Sequence, residues 1–151
     1  METELSVSPG FDELMIGANG AEVRRASEWL DTICRQRDVP KAPVERLVLC
    51  LNEVLANVIA HGGGTALSSP IRLLLEIRLD PDGSKAGVTV SDAGTAFNPL
   101  SVAKKILPKT LAEASPGGLG LVMIHRCADW LDYHHEDGHN HLTFGTRWKL
   151  P

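Results

Sequence analysis

The spacing of apolar residues changes near Pro70, and this change restricts the fold more than any other feature of the chain. Between residues 20 and 61, apolar side chains recur at every third or fourth position, which is typical of amphipathic helices. From Ile71 to Leu79, and again from Leu142 to Leu150, they alternate with polar side chains, which predicts strands. Because the strands come in hairpins, we expect an α/β fold: a two-layer sandwich with a mostly antiparallel sheet and helices on one face.

The sequence predicts a tail over residues 1–10 and one domain over residues 11–151. A glycine run, Gly62–Gly64, is expected to stop the second helix and to give the chain a flexible exit. The predicted elements are an edge strand at 11–16, a helix from its Asn19 cap to about 37, a helix from about 43 to 61, strands at 71–79 and 87–91, helices at 101–106 and 121–130, and strands at 131–134 and 142–150.

The composition excludes several classes of protein. The 151 residues carry a net charge of -4, so no basic patch for nucleic acid or an anionic membrane is expected. No apolar run approaches the length of a membrane span, and the first residues do not form a basic leader. The three cysteines form no Cys-x-x-Cys pair, which favours a reducing cytoplasm. We therefore expect a cytoplasmic protein that binds neither nucleic acid nor membrane.

Polar residues spaced by four follow one side of the second predicted helix. Glu53, Asn57 and His61 form this stripe, roughly opposite the apolar face. The amide oxygen of Asn57 is a hard ligand suited to Mg²⁺, and Glu53 can accept a proton or orient water around the metal. The ordinary alternative is an exposed glutamate beside a tolerated helical asparagine.

An Asp-x-Gly-x-x-Phe motif follows the predicted strand that ends at Ser91. Asp92 is costly to bury without a partner, and the exocyclic amine of adenine is one suitable partner. Gly94 would let the backbone approach the base closely, and Phe97 can pack nearby. Alternatively, Asp92 caps the start of a loop and Phe97 is part of the core.

A glycine motif opens the last predicted helix. Gly117, Gly118 and Gly120 leave backbone amides exposed at a helix N-terminus, where phosphate oxygens bind well. The motif lacks the lysine of a P-loop and the spacing of a dinucleotide fingerprint. A flexible turn is the alternative for this motif by itself. In this order, the three motifs together predict a nucleotide pocket.

These motifs resemble the GHKL ATPases, which have the Bergerat fold, and in particular the anti-sigma-factor serine kinases of bacterial partner-switching systems. The resemblance covers nearly the whole chain. It implies that ATP and Mg²⁺ are cofactors, that Asn57 coordinates Mg²⁺, and that Glu53 is the general base for phosphoryl transfer to a serine of an antagonist protein. It also implies that the following residues bind the nucleotide: Asn57, His61, Asp92, Gly94, Phe97, Gly117, Gly118, Leu119, Gly120 and Leu121.

The chain departs from this family near the glycine motif. Many relatives have a basic residue where Leu119 stands, which leaves phosphate charge less obviously compensated. Lys104, Lys105 and Lys109 can substitute, although a solvated surface explains them equally well. ATP binding is therefore a firmer prediction than kinase activity.

Other functions stay open at this point. One is a nucleotide-gated module that sequesters a regulatory protein without catalysis, and another is an ATP-binding subunit of a larger sensory assembly. An antagonist protein, a sigma factor or a second copy of the chain are the partners that the resemblance implies. A structural zinc site is a further hypothesis, although strand alternation is expected to scatter its candidate ligands over both faces of the sheet: His134, His135, His139 and His141.

Overall fold

The computed structural model describes residues 10–61, 63–96, 124 and 126–149. Ile124 and residues 126–127 have helical backbone, and the predicted helix over residues 101–106 lies outside the described residues. The remaining elements, in chain order, are β1 (Gly10–Ile16), α1 (Gly20–Gln36), α2 (Lys41–His61), α3 (Gly63–Ser68), β2 (Ile71–Arg78), β3 (Ser84–Asp92), β4 (Trp130–Glu136) and β5 (His139–Trp148).

The five strands form one sheet in the order β1-β2-β3-β5-β4, and every neighbouring pair is antiparallel. β2 and β3 form one hairpin, and β4 and β5 form another. β3 pairs with β5 over its whole length, from Ser84 opposite Trp148 to Asp92 opposite Asn140. The prediction of a mostly antiparallel sheet is confirmed, and β1 lies at an edge as predicted.

The core lies between the sheet and the helices α1 and α2. Every second residue of the central strands is buried on this face, including Leu73, Val88 and Phe144. The apolar stripe of α2 meets them from the helix side and is also buried, at Val44, Leu47, Leu51, Val54 and Leu55. The predicted two-layer sandwich is therefore confirmed.

The N-terminus of α1 shows how closely local sequence decides the helix start. The side chain of Asn19 accepts a hydrogen bond from the backbone N–H of Glu22 over 3.0 Å, as expected of an N-cap. Glu22 in turn accepts hydrogen bonds from the Gly17 N–H over 3.0 Å and from the Arg25 guanidinium over 2.8 Å. Its hydrogen bonds with Arg25 and then with Gly17 lower the pKa of Glu22 to about 2.

Two predicted elements differ from the structure. Trp130 was expected to end a helix but begins β4, where its ring packs against Gly87 and Gly145 of the neighbouring strands. The segment after His61 was expected to be a flexible exit, but it forms the short helix α3, whose first residue Gly63 has a φ of +77°. At Trp130, contacts with other strands outweigh the local pattern.

All three cysteines are free thiols. Burial is the main cause that raises the pKa of Cys34 and of Cys50 to about 12, so both thiols stay protonated at neutral pH. Within the described ranges, no helix has both the length and the hydropathy needed to cross a membrane.

Candidate functional site

Asn57 and His61 of α2 line a pocket at the end of β3, where Asp92 pairs with Asn140 of β5. Asn57 is buried, with 9 % of its surface exposed, and its Nδ2 atom has no hydrogen-bond partner among the described residues. Because a buried amide without a partner costs free energy, this atom indicates a place for a ligand. His61, one turn later, is exposed and lines the same space.

Glu53 occupies a different environment from Asn57. It lies one turn earlier on α2 and is half-buried, but it does not line the pocket that Asn57 lines. The preceding residue, Asn52, faces α1: its side chain accepts a hydrogen bond from Ser27 over 3.0 Å and donates to the carbonyl of Val48. Asn52 therefore holds the two helices together.

Asp92 ends β3 with its carboxylate buried and 5 % of its surface exposed. One carboxylate oxygen, Oδ1, accepts a hydrogen bond from the backbone N–H of Gly94 over 2.8 Å and another from Nδ2 of Asn140 over 3.2 Å. These hydrogen bonds offset part of the free-energy cost of burying the charge. Gly94, predicted to lie near a base, is buried beside this carboxylate.

Asn140 and Tyr133 are site residues that the sequence did not indicate. Asn140, on β5, lies opposite Asp92, and Tyr133, on β4, lies opposite Leu142. The hydroxyl of Tyr133 donates to Oδ1 of Asn140, whose Nδ2 donates to the carbonyl of Thr95 over 2.9 Å. Only the register of β5 against β3 brings these side chains to Asp92, so no local motif could have found them.

These residues enclose an open pocket between α2 and the sheet. Its wall combines apolar and polar side chains: Val54, Asn57, Val58, His61, Val90, Asp92, Thr95, Tyr133, Asn140 and Leu142. Three predicted residues, Asn57, His61 and Asp92, are thus brought together. The predicted Phe97, Gly117, Gly118, Leu119, Gly120 and Leu121 lie outside the described residues.

The pocket fits an adenine nucleotide with a metal ion. The buried carboxylate of Asp92 is an acceptor that suits an exocyclic amine, and valines on two sides suit the faces of a planar base. The terminal amide of Asn57 presents an oxygen suited to Mg²⁺ after a half-turn about its last side-chain bond. The donors and acceptors present therefore match what both groups require.

The histidines of the C-terminal hairpin lie on both faces of the sheet, as predicted, because His135 lies opposite Asn140 on the helix-covered face. His134 lies opposite His141, and His139 lies opposite Glu136, so three of the four histidines share the face away from the helices. The rings of His134 and His141 stack with centroids 4.7 Å apart. In the part of the chain that the structure describes, no group of three or more histidine, cysteine or acidic residues is arranged to hold a metal ion.

A relative of known name matches nearly the whole chain. The Serine/threonine-protein kinase BtrW of Bordetella bronchiseptica is 29 % identical over 138 residues, which cover 91 % of this chain and 94 % of that protein.

Two solved structures show the same fold. The structure of the RsbU and RsbW domains of Rv1364c from Mycobacterium tuberculosis has a TM-score of 0.64 at 17 % identity; the match covers 94 % of this chain and 33 % of that one, so this chain spans about a third of its length. The SiaB-SiaC complex from Pseudomonas aeruginosa has a TM-score of 0.54 at 12 % identity, covering 91 % and 89 % of the two chains.

A family model described as the histidine kinase-like ATPase domain matches residues 16–146, which include α1, α2 and most of the sheet. The matched range also contains Asn57, Asp92 and Asn140, which meet at the pocket. This protein therefore belongs to the histidine kinase-like ATPase domain family, the GHKL group that its motifs resemble.

Proposed function

We propose that this protein is an ATP-dependent serine/threonine protein kinase that phosphorylates an antagonist protein in a bacterial partner-switching pathway. The observation that carries the proposal is the convergence of Asn57 and Asp92, from separate elements, on one pocket in which both are buried. The relative named a serine/threonine-protein kinase, which matches this chain almost end to end, supports the choice of reaction.

Asp92 recognises the base in this proposal. Its Oδ1 atom is engaged by Gly94 and Asn140, so its second oxygen is available to accept a hydrogen bond from the adenine amine. The aliphatic side chains of Val54, Val90 and Leu142 surround the base and exclude water.

Asn57 and Glu53 act at the phosphate end of the nucleotide. Asn57 would hold Mg²⁺, which when bound neutralises charge on the phosphate oxygens. Glu53 accepts the proton of the attacking serine hydroxyl. The serine oxygen bonds to the γ-phosphorus while the bond from that phosphorus to its bridging oxygen breaks, which releases ADP. His61 and the glycine motif over residues 117–121 complete the phosphate side, and Phe97 the adenine side.

The proposed setting is the cytoplasm, with an antagonist protein as the substrate, a sigma factor as a second partner, and a homodimer as the working form. The solved SiaB-SiaC complex, in which a protein of this fold assembles with a second protein, supports a protein partner. The net charge of -4 gives no reason to invoke nucleic acid as a partner.

Phosphotransfer from γ-labelled ATP to purified candidate antagonist proteins tests the kinase proposal. We expect label on a serine with the wild-type protein and loss of at least about a hundredfold in rate with Glu53→Gln, because a general base contributes roughly that much or more. Glu45→Gln is the matched control, since it removes the same charge from an exposed position of α2. Equal rates for the two variants would contradict the role of Glu53.

A non-catalytic, nucleotide-gated binding module is the second candidate. The position of Glu53 outside the pocket wall favours it, since a binding module needs Asn57 and Asp92 but no base. In that case ATP binds normally, no antagonist is phosphorylated, and Glu53→Gln retains both nucleotide and protein binding.

A further inference from the structure

Asn140 is a buried amide at the start of β5, and its side chain makes hydrogen bonds at the end of the pocket where Asp92 lies. Nδ2 donates to Oδ1 of Asp92 over 3.2 Å, and to the carbonyls of Thr95 and Gly94 over 2.9 and 3.4 Å. One side chain thus joins the carboxylate to the loop that follows it. Asn140 has 6 % of its surface exposed, so losing these bonds would leave buried polar groups without partners.

Tyr133 holds the Asn140 amide from the side of β4. The two ends of an asparagine amide have nearly the same shape but opposite hydrogen-bonding character. The Tyr133 hydroxyl donates to Oδ1 of Asn140, which holds the amide oxygen on the β4 side. A flipped amide would bring its oxygen against the carboxylate and the Thr95 carbonyl, which are both acceptors. The donor end therefore stays toward Asp92.

The two donors that reach Asp92 both use the same carboxylate oxygen. The Gly94 N–H lies 2.8 Å from Oδ1, and the Asn140 amide approaches that atom from the opposite strand. Because Oδ1 is held from two directions, the orientation of the carboxylate is fixed at the pocket wall that Asp92 lines. An acceptor in this place favours a purine with an amino group at position 6 and repels one with a carbonyl there.

We propose that Asn140 and Tyr133 are positioning residues that hold the Asp92 carboxylate in its acceptor geometry and thereby give the pocket its preference for a 6-aminopurine over other purines. This inference rests on the proposed function, because it assumes that a purine nucleotide binds beside Asp92. Asn140 acts through the carboxylate, and Tyr133 acts through Asn140.

Calorimetric titration with three nucleotides in the presence of Mg²⁺ tests the inference. The nucleotides are ATP, ITP and purine riboside triphosphate. ITP carries a 6-oxo group, and purine riboside triphosphate carries no group at position 6. For the wild-type chain we expect ATP to bind about tenfold or more tightly than either of the others, as one hydrogen bond to a charged group allows. Tyr133→Phe should reduce this preference to about threefold or less, and Asn140→Ala should abolish it. In both variants the affinity for purine riboside triphosphate should fall less than the affinity for ATP.

Thr143→Val is the matched control, because Thr143 lies on the same strand as Asn140 but bonds to Thr89 on the opposite face of the sheet. We expect this variant to keep the wild-type preference. If Asn140 only stabilised the fold, Asn140→Ala would weaken the binding of all three nucleotides equally. An unchanged ratio of ATP affinity to purine riboside triphosphate affinity in both pocket variants would overturn the inference. Tyr133→Phe removes a single oxygen, so it provides the test even where Asn140→Ala fails to fold.

The same titration separates this inference from the proposed function. Wild-type protein that binds none of the three nucleotides contradicts both. If the wild-type protein prefers ATP and both variants show the same preference, only the positioning role of Asn140 and Tyr133 is contradicted.

Discussion

The two faces of the sheet are stabilised by different kinds of contact. The face under α1 and α2 is held by buried apolar side chains such as Leu73 and Phe144, and the polar side chains of Asn57, Asp92 and Asn140 meet at one end of it. The opposite face carries cross-strand pairs, such as the 2.8 Å hydrogen bond between Thr89 and Thr143. Buried apolar area stabilises the first face, so the polar groups at the Asp92 end can be kept for a ligand.

Among the described residues, Trp130 is the largest side chain on the face of the sheet away from α1 and α2. A Cβ atom added to Gly145 would come within 2.1 Å of its ring, and one added to Gly87 within 3.0 Å, so the ring lies directly on the backbone of the two strands. The Arg147 guanidinium lies 4.6 Å from the ring centroid on the same face. The packing of the Trp130 ring on this face therefore requires glycine at positions 87 and 145.

The largest expected difference between the faces is in stability. Phe144→Ala should lower the free energy of unfolding by about 3–5 kcal/mol, because it empties space among fully buried side chains. Leu74→Ala, on the opposite face and half-buried, should cost less than about 1.5 kcal/mol. Urea unfolding followed by circular dichroism measures both. Equal losses would show that the helix-covered face is not the main source of stability.

A smaller effect is expected at the Trp130 platform. Alanine is normally better than glycine in a strand, yet Gly145→Ala should destabilise the protein by about 1–3 kcal/mol, because its methyl group collides with the ring. Trp130→Ala in the same chain should remove this cost, so the two substitutions should be strongly non-additive. Unfolding curves of the two single variants and the double variant measure the coupling, and additive losses would disprove the contact.

The smallest effect is expected from exposed charge on the helix layer. Because its pKa is lowered to about 2 in the folded protein, Glu22 stabilises the fold fully above its ordinary value of 4.5, and this contribution falls as the pH drops toward 2. The stability difference between wild type and Glu22→Gln should therefore shrink between about pH 5 and pH 3. Glu28→Gln, at an exposed position of the same helix, is the control. A difference that stays constant over this range would contradict the lowered pKa.

The sequence predicted those parts of the fold and site that depend on local pattern. The four-residue spacing on α2 identified Asn57 and His61, and the end of an alternating strand identified Asp92, because the positions of these side chains follow from the geometry of a single element. All three line the pocket. The resemblance of the motifs to GHKL ATPases also indicated the fold that the structure shows.

Parts of the molecule that depend on pairing between elements were missed. Asn140 reaches Asp92 only through the register of β5 against β3. Trp130 continues a helical apolar pattern in sequence, yet its contacts with two other strands place it in the sheet.

The central claim is that buried polar side chains from α2 and β3 form one Mg²⁺-dependent ATP site. Calorimetric titration of ATP with and without Mg²⁺ on wild type, Asn57→Ala, Asp92→Asn and Asn52→Ala tests it most directly. We expect Mg²⁺-dependent binding that weakens by about tenfold or more in Asn57→Ala and Asp92→Asn. Asn52→Ala should bind like the wild type, since Asn52 bonds to Ser27 of α1 outside the pocket. No binding to the wild type, or equal binding to all four proteins, would contradict the account.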